Sequence, residues 1–241
     1  MKLTHLRVMK LVFKQDYIDY KDAMSWFDIV KNYNKNSNFD VERIFVLEHN
    51  NVYTAGKSIN NTKQNLICNI PVAYTDRGGL WTWHGHGQVV VYFIYNLRKR
   101  KLFLSDFMEI VEKTFIKLIN NEITRIAGKD ILDNIKIYAD SKKRGFWVIK
   151  KNKNVEDNLK LGFIGLRVLN GFVFHGISIN YNNDLSFFNN IIPCGLEGVK
   201  ITSIQNLIEG NNKNNSLDIE IFKKHIGNAL FEKLDTLVGG K

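Results

Sequence analysis

The stretch Lys160–Gly195, KLGFIGLRVLNGFVFHGISINYNNDLSFFNNIIPCG, reads as two strands, a short helical turn and a framed cysteine. Residues 161–169 and 172–180 are rich in β-branched, aliphatic and aromatic side chains, and Asn170-Gly171 between them is a strong hairpin dipeptide. Residues 184–189 read as a helical turn that leads to Pro193. Pro193-Cys194-Gly195 then sets a thiol between a residue that fixes φ and one that admits unusual backbone angles. A cysteine that only fills space needs no such frame.

Working outward, residues 131–150 read as two strands around a turn at 140–145, and residues 151–159 as a polar, mobile surface loop. Helical spacing runs over 105–120, with Ser105 as cap, and over 217–234, with Phe222, Ile226, Leu230 and Leu234 facing inward. Nearer the start the pattern predicts a strand at 3–13, a helix at 16–33 capped by Asp16, and an Asn-rich loop at 34–39. A strand through Leu47, a turn at Asn50-Asn51 and a short second strand follow. Strands at 72–74 and 89–97 enclose a loop dense in glycine, tryptophan and histidine. With no internal repeat and no Pro- or Ser-rich linker, the expectation is one mixed α/β domain over residues 1–241.

The 241 residues carry 34 Lys and Arg against 24 Asp and Glu, a formal charge of +10. That balance favours anionic partners, but the cations are spread along the chain, so nucleic acid is not indicated. No apolar run is long enough to span a membrane, and charges interrupt the first twenty residues, so no signal peptide is read. Two cysteines cannot staple a chain of this size, which makes the cytoplasm the expected compartment.

Cys194 is the candidate nucleophile; Cys68, in NLICNIP, is assigned to packing. Lys160 opens an apolar segment, where a lysine either snorkels to water or, beside a thiol, favours the thiolate. His84-x-His86 shares one face if extended, yet the flanking glycines leave such ligands poorly fixed and no metal is expected. Ala55-Gly56-Lys57-Ser58 has the tail of a phosphate-binding loop but lacks its first glycine, since Asn51 stands there.

Three blocks together resemble the octanoyltransferases of protein lipoylation: Leu47-Glu48-His49 through Gly56, Arg77-Gly78-Gly79 through Gln88, and Lys160 through Gly195. The resemblance implies the biotin and lipoate protein ligase fold, a large mixed sheet flanked by helices with a smaller sheet beside it. It implies transfer of octanoyl from octanoyl-acyl carrier protein to a lysine of lipoyl domains, in 2-oxoacid dehydrogenases and the glycine-cleavage H protein, without a cofactor. It makes Cys194 the acyl-thioester nucleophile and Lys160 the residue that tunes it. It assigns the acyl site to Arg77, Gly78, Gly79, Leu80, Trp81, Thr82, Trp83 and His84, with Phe163, Ile164, Gly165, Gly176, Ile177 and Ser178. Backbone N–H groups at Cys194-Gly195 are candidates to hold the oxyanion. His86 replaces the family's proline and Trp83 its usual tyrosine, which predicts an altered chain-length preference; residues 140–159 are longer and more basic than usual. The competing readings are an ATP-dependent lipoate ligase on the same fold, a basic binding module and a cysteine hydrolase.

Overall fold

The computed structural model describes residues 8–36, 41–59, 64–152, 155–209 and 217–237. In chain order these form β1 (Val8–Ile18), α1 (Tyr20–Asn36), β2 (Val41–His49), β3 (Val52–Ala55), β4 (Leu66–Ile67), β5 (Ile70–Tyr74), β6 (Trp81–His84) and β7 (Gln88–Asn96). Then come α2 (Leu97–Arg100), α3 (Leu104–Ala127), β8 (Ile135–Asp140), β9 (Gly145–Asn152), β10 (Val155–Leu169), β11 (Phe172–Asn180), β12 (Lys200–Ile201), α4 (Ile204–Ile208) and α5 (Ile219–Asp235). Short 3-10 turns at Lys129–Asp133 and Leu185–Asn190 complete the list.

The large sheet has the order β1-β2-β7-β11-β10-β9-β8, with β12 added on β10; the smaller one has the order β4-β5-β3-β6. In β7 every residue is buried, because the strand is covered on both faces. Val89, Val91 and Phe93 pack with Phe107 and Phe115 of α3 and Phe222 and Ile226 of α5, while Val90, Tyr92 and Ile94 join the α1 side with Phe27. Each such apolar side chain contributes about 1.5–3 kcal/mol by leaving water. Arg100, in α2 just beyond the end of β7, is fully buried, paired to Glu42 at 2.6 Å, and donates to the carbonyl oxygens of Leu234, Asp235 and Leu237, which ties down the end of α5. The hairpin predicted at Asn170-Gly171 forms, with φ of 52° and 84° at the two residues.

Several boundaries differ from the sequence reading. The first strand runs on to Ile18, since Tyr17 and Ile18 pair in parallel with Glu48 and His49; Asp16 therefore lies in the strand and caps nothing. The helix begins at Tyr20 and continues through Asn36; residues 3–7 and 37–40 lie outside the described residues. Helix α3 spans Leu104–Ala127, and its first turn is closed by Asp106 accepting the Phe103 N–H, not by Ser105. The segment read as a polar loop at 151–159 is ladder instead, apart from 153–154, which are outside the described residues. Glu156 pairs with Lys151 and Asp157 with Lys150 across it, so opposite charges take the exposed faces of paired strands. Cys68 is exposed and has a φ of 47°; with Asn69 it makes the turn between β4 and β5.

Candidate active site

The loop from Thr75 to Leu80 is moulded on one side chain. The Arg77 guanidinium is buried and donates to the Thr54 hydroxyl (2.7 Å) and carbonyl (2.8 Å), to the Leu80 carbonyl (2.9 Å) and to the Gly78 carbonyl (3.0 Å). The Ala55–Ser58 stretch clamps the same loop: Gly56, Lys57 and Ser58 N–H groups donate to the carbonyls of Leu80, Arg77 and Gly79. Donors spent in this way cannot cradle a phosphate, which is the physical reason the phosphate-loop likeness fails.

Strand β6 leaves this loop and aligns the cysteine. Trp81 bridges Pro193, and the Cys194 N–H donates to the Trp81 carbonyl at 3.0 Å. Cys194 is held at a φ of 55°, an uncommon conformation for a side chain with a Cβ, and Gly195 follows at 69°. The Gly195 N–H donates to the Ile192 carbonyl at 3.1 Å. Both candidate oxyanion donors are thus engaged within the turn, and that expectation is corrected.

Lys160 does not snorkel; it is fully buried on β10, and its ammonium donates to the carbonyls of Lys143 (2.9 Å) and Arg144 (3.3 Å) in the turn between β8 and β9. Burial pushes its pKa down, while the Cys194 thiolate and Asp140 push it back up. Burial likewise pushes the Cys194 thiol up, and it outweighs the opposing pull of Lys160 and Arg77. The Cys194 thiol is therefore not the depressed one that proximity alone suggests, and burial opposes charge on both members of the pair.

Cys194 opens on a cavity of about 40 Å³. Arg77, Gly78, Gly79, Thr82 and His84 line it from one side. The paired strands β10 and β11 line it from the other, through Phe163, Ile164 and Gly165 facing Gly176, Ile177 and Ser178. Gly165 pairs directly with Gly176, which leaves room against the Arg77 side chain. The Thr82 and Ser178 hydroxyls and His175 Nδ1 are buried there without a hydrogen-bond partner among the described residues.

The profile of the lipoyl protein ligase A/B catalytic domain matches residues 19–231. The chain belongs to that family. An octanoyltransferase of Rickettsia bellii is 36% identical over 86% of this chain and 94% of its own, and one of Buchnera aphidicola is 35% identical over 72% and 76%. A bi-partite lipoate protein ligase from Thermoplasma acidophilum, studied with its E2 lipoyl domain, superposes with a TM-score of 0.57 at 10% identity over 95% of this chain and 84% of that one. The superposition establishes the shared fold of the two sheets.

Within this lipoyl ligase A/B domain, three residues assigned to the acyl site lie elsewhere. Alternation along β6 sends Thr82 and His84 to the cavity and Trp81 and Trp83 to the opposite face. Trp83 stacks on Phe187 (4.8 Å between centroids) in the core of the smaller sheet, and Leu80 packs beneath Gly195. His86 also stands off the cavity, stacked on Tyr17 at 3.6 Å. The sequence reading missed Tyr20, Val90, Tyr92 and His175, which line the cavity. Alternation along β7 could have placed Val90 and Tyr92; nothing local marks Tyr20. Behind them His49 donates from Nδ1 to the Ile18 carbonyl and accepts at Nε2 from the Tyr92 hydroxyl, both at 2.8 Å. His84 donates from Nδ1 to Gln88 Oε1 at 2.6 Å. Burial lowers the pKa of His49 to about 4 and holds His84 well below its ordinary value, so both rings are neutral.

Proposed function

We propose that this chain is an octanoyltransferase that works as one catalytic unit. It takes octanoyl from octanoyl-acyl carrier protein in the cytoplasm and delivers it to a lysine of lipoyl domains, those of 2-oxoacid dehydrogenases and the glycine-cleavage H protein. The observation that carries this reading is a strained, half-buried Cys194 that opens on the cavity and is electrostatically coupled to a caged, buried Lys160. The names of relatives more than a third identical over most of the chain support it.

The chemistry follows from a pair in which burial disfavours a lone charge on either member, so that a proton passes readily between them. The Lys160 amine takes the Cys194 proton as sulfur attacks the thioester carbonyl; the tetrahedral intermediate then expels the carrier thiolate, which leaves as the thiol with that proton. Thr82 and Ser178 hydroxyls, unpartnered at the cavity wall, are the donors available to the oxyanion in place of the engaged N–H groups. In the second half the acceptor amine attacks the octanoyl-cysteine, Lys160 accepts its proton, and the Cys194 thiolate departs as the amide forms. The first transfer exchanges one thioester for another and is nearly balanced; the second is downhill. No nucleotide enters either step, in keeping with the engaged N–H groups of Gly56–Ser58.

Intact-mass analysis after incubation with octanoyl-carrier protein tests the reading. An octanoyl adduct mapping to Cys194, passed on to a lipoyl domain, is expected. Transfer from free octanoate and ATP with no adduct would identify a ligase instead. Absence of any adduct or transfer would leave a binding module, and release of free octanoate at equal rates with and without acceptor would identify a hydrolase.

A further inference from the structure

Trp147 of β9 pairs directly with Lys160 of β10 across the antiparallel ladder, and one step further the register shifts, Phe146 pairing with Gly162. Such an irregularity re-aims the side chain beside it. The Lys160 ammonium lies 4.4 Å from the centroid of the Trp147 ring and 5.3 Å from that of Phe163. The indole is almost fully buried and its Nε1 has no hydrogen-bond partner among the described residues. Packing and cations therefore hold the ring, since Lys143 Nζ also stands 5.4 Å from its centroid. Among the described residues Lys160 forms no ion pair; carbonyls of Lys143 and Arg144 and two aromatic rings make its surroundings.

We propose that Trp147 is a positioning residue of the reaction, whose indole face fixes the Lys160 ammonium where it serves Cys194. The inference rests on the reading of Lys160 as the partner of Cys194. A ring quadrupole attracts an ammonium and offers a neutral amine almost nothing, and the attraction is largest where water is excluded. The other charges facing Lys160 are Asp140 from the end of β8, which favours its charged form, Lys143 from the turn, which opposes it, and Cys194 itself; Arg77 acts on Cys194 from the loop side. The indole therefore tips the pair toward thiolate and ammonium against the burial that favours thiol and amine. Phe163, further away and on the acyl side, has the smaller share.

The test is the rate of Cys194 alkylation by iodoacetamide against pH, in a Cys68→Ser background because Cys68 is exposed. Trp147→Leu removes the ring, Trp147→Phe keeps a weaker one, and a tetrafluorinated tryptophan placed at position 147 keeps the shape while emptying the ring face of charge. The expected result is a curve displaced to higher pH for Trp147→Leu and for the fluorinated ring, with alkylation at neutral pH slowed about tenfold. Trp147→Phe should lie between them and the parent, and the fluorinated protein should melt like the parent. If Trp147→Leu does not fold, the fluorinated protein alone decides. Lys160→Met displaced while the fluorinated curve overlays the parent overturns the inference and leaves the Cys194–Lys160 pair standing. Lys160→Met overlaying the parent overturns both.

Discussion

Lys160 and Cys194 each sit where burial disfavours charge, so neither can be ionised cheaply without the other. Among the described residues Lys160→Met removes the one ammonium acting on the thiol; alkylation of Cys194 should then need higher pH and octanoyl transfer should fall by about 10²-fold or more. Lys160→Arg should keep the alkylation curve near the parent and block the second half-reaction, because guanidinium does not give up its proton. Separate single-turnover assays of acylation and deacylation check both. The buried histidines make a stability prediction. His49 titrates near 6.5 when exposed and about 4 when folded, so the unfolded chain binds its proton first as pH falls. Its contribution is complete above about pH 6.5 and is lost toward pH 4, a loss of about 3 kcal/mol. Urea midpoints measured across that window should drop for the wild type and drop less for His49→Phe. The lysine itself was legible as an oddity in an apolar run. Its cage was not, because the Lys143 and Arg144 carbonyls arrive from 17 and 16 residues upstream.

The elements that sequence predicts best are those whose pattern is set by burial on the spot. Phe222, Ile226, Leu230 and Leu234 recur at helical spacing and are all fully buried in α5, and Asn170-Gly171 closes its hairpin as read. What failed depends on partners far along the chain: Tyr17 and Ile18 became strand because β2 pairs with them, and Glu156 and Asp157 because β9 does. Trp81 and Trp83 were misplaced for a nearer reason, since WTWH alternates and only one face of β6 meets the cavity. The paired glycines separate two roles. A Cβ on Gly176 would lie 1.7 Å from the Val91 carbonyl oxygen, whereas one on Gly165 meets the Arg77 Cδ at 3.1 Å. Gly176→Ala should cost about 3 kcal/mol or more in chemical denaturation. Gly165→Ala should fold with a smaller loss yet transfer octanoyl poorly, because its methyl enters a cavity of about 40 Å³. At the turn between β6 and β7, Gln88 N–H donates to the Gly85 carbonyl and Gly87 has a φ of 80°, the pattern that welcomes proline before the glycine. His86→Pro should therefore leave selectivity among C6, C8 and C10 donors unchanged. The gain from stiffening the turn and the loss of the Tyr17 stack should leave thermal stability within about 1 kcal/mol of the parent.

The molecule as a whole carries a formal charge of +10. The exposed turn Lys142-Lys143-Arg144 stands outside the Lys160 cage, and its three cations follow one another in sequence. An acidic carrier protein approaching this face feels long-range attraction that salt screens within about 10 Å at 0.1 M. KM for octanoyl-carrier protein should rise steeply with salt, while turnover of a small octanoyl thioester stays flat; parallel salt curves for the two donors would remove docking as the purpose of the charge. Among the described residues no helix is long and apolar enough to cross a membrane. The smallness of the cavity has a consequence in time. A space of about 40 Å³ holds roughly one water, and an eight-carbon chain cannot enter until the wall between the Arg77 loop and the β10–β11 hairpin gives way. If the receptive form is a minority population, the dissociation constant measured for the donor is the intrinsic one divided by the fraction in that form. Acylation followed in a rapid mixer should level off at high donor concentration at the rate of opening. Such a plateau would mean that the acyl chain waits on a movement of the protein rather than on the chemistry.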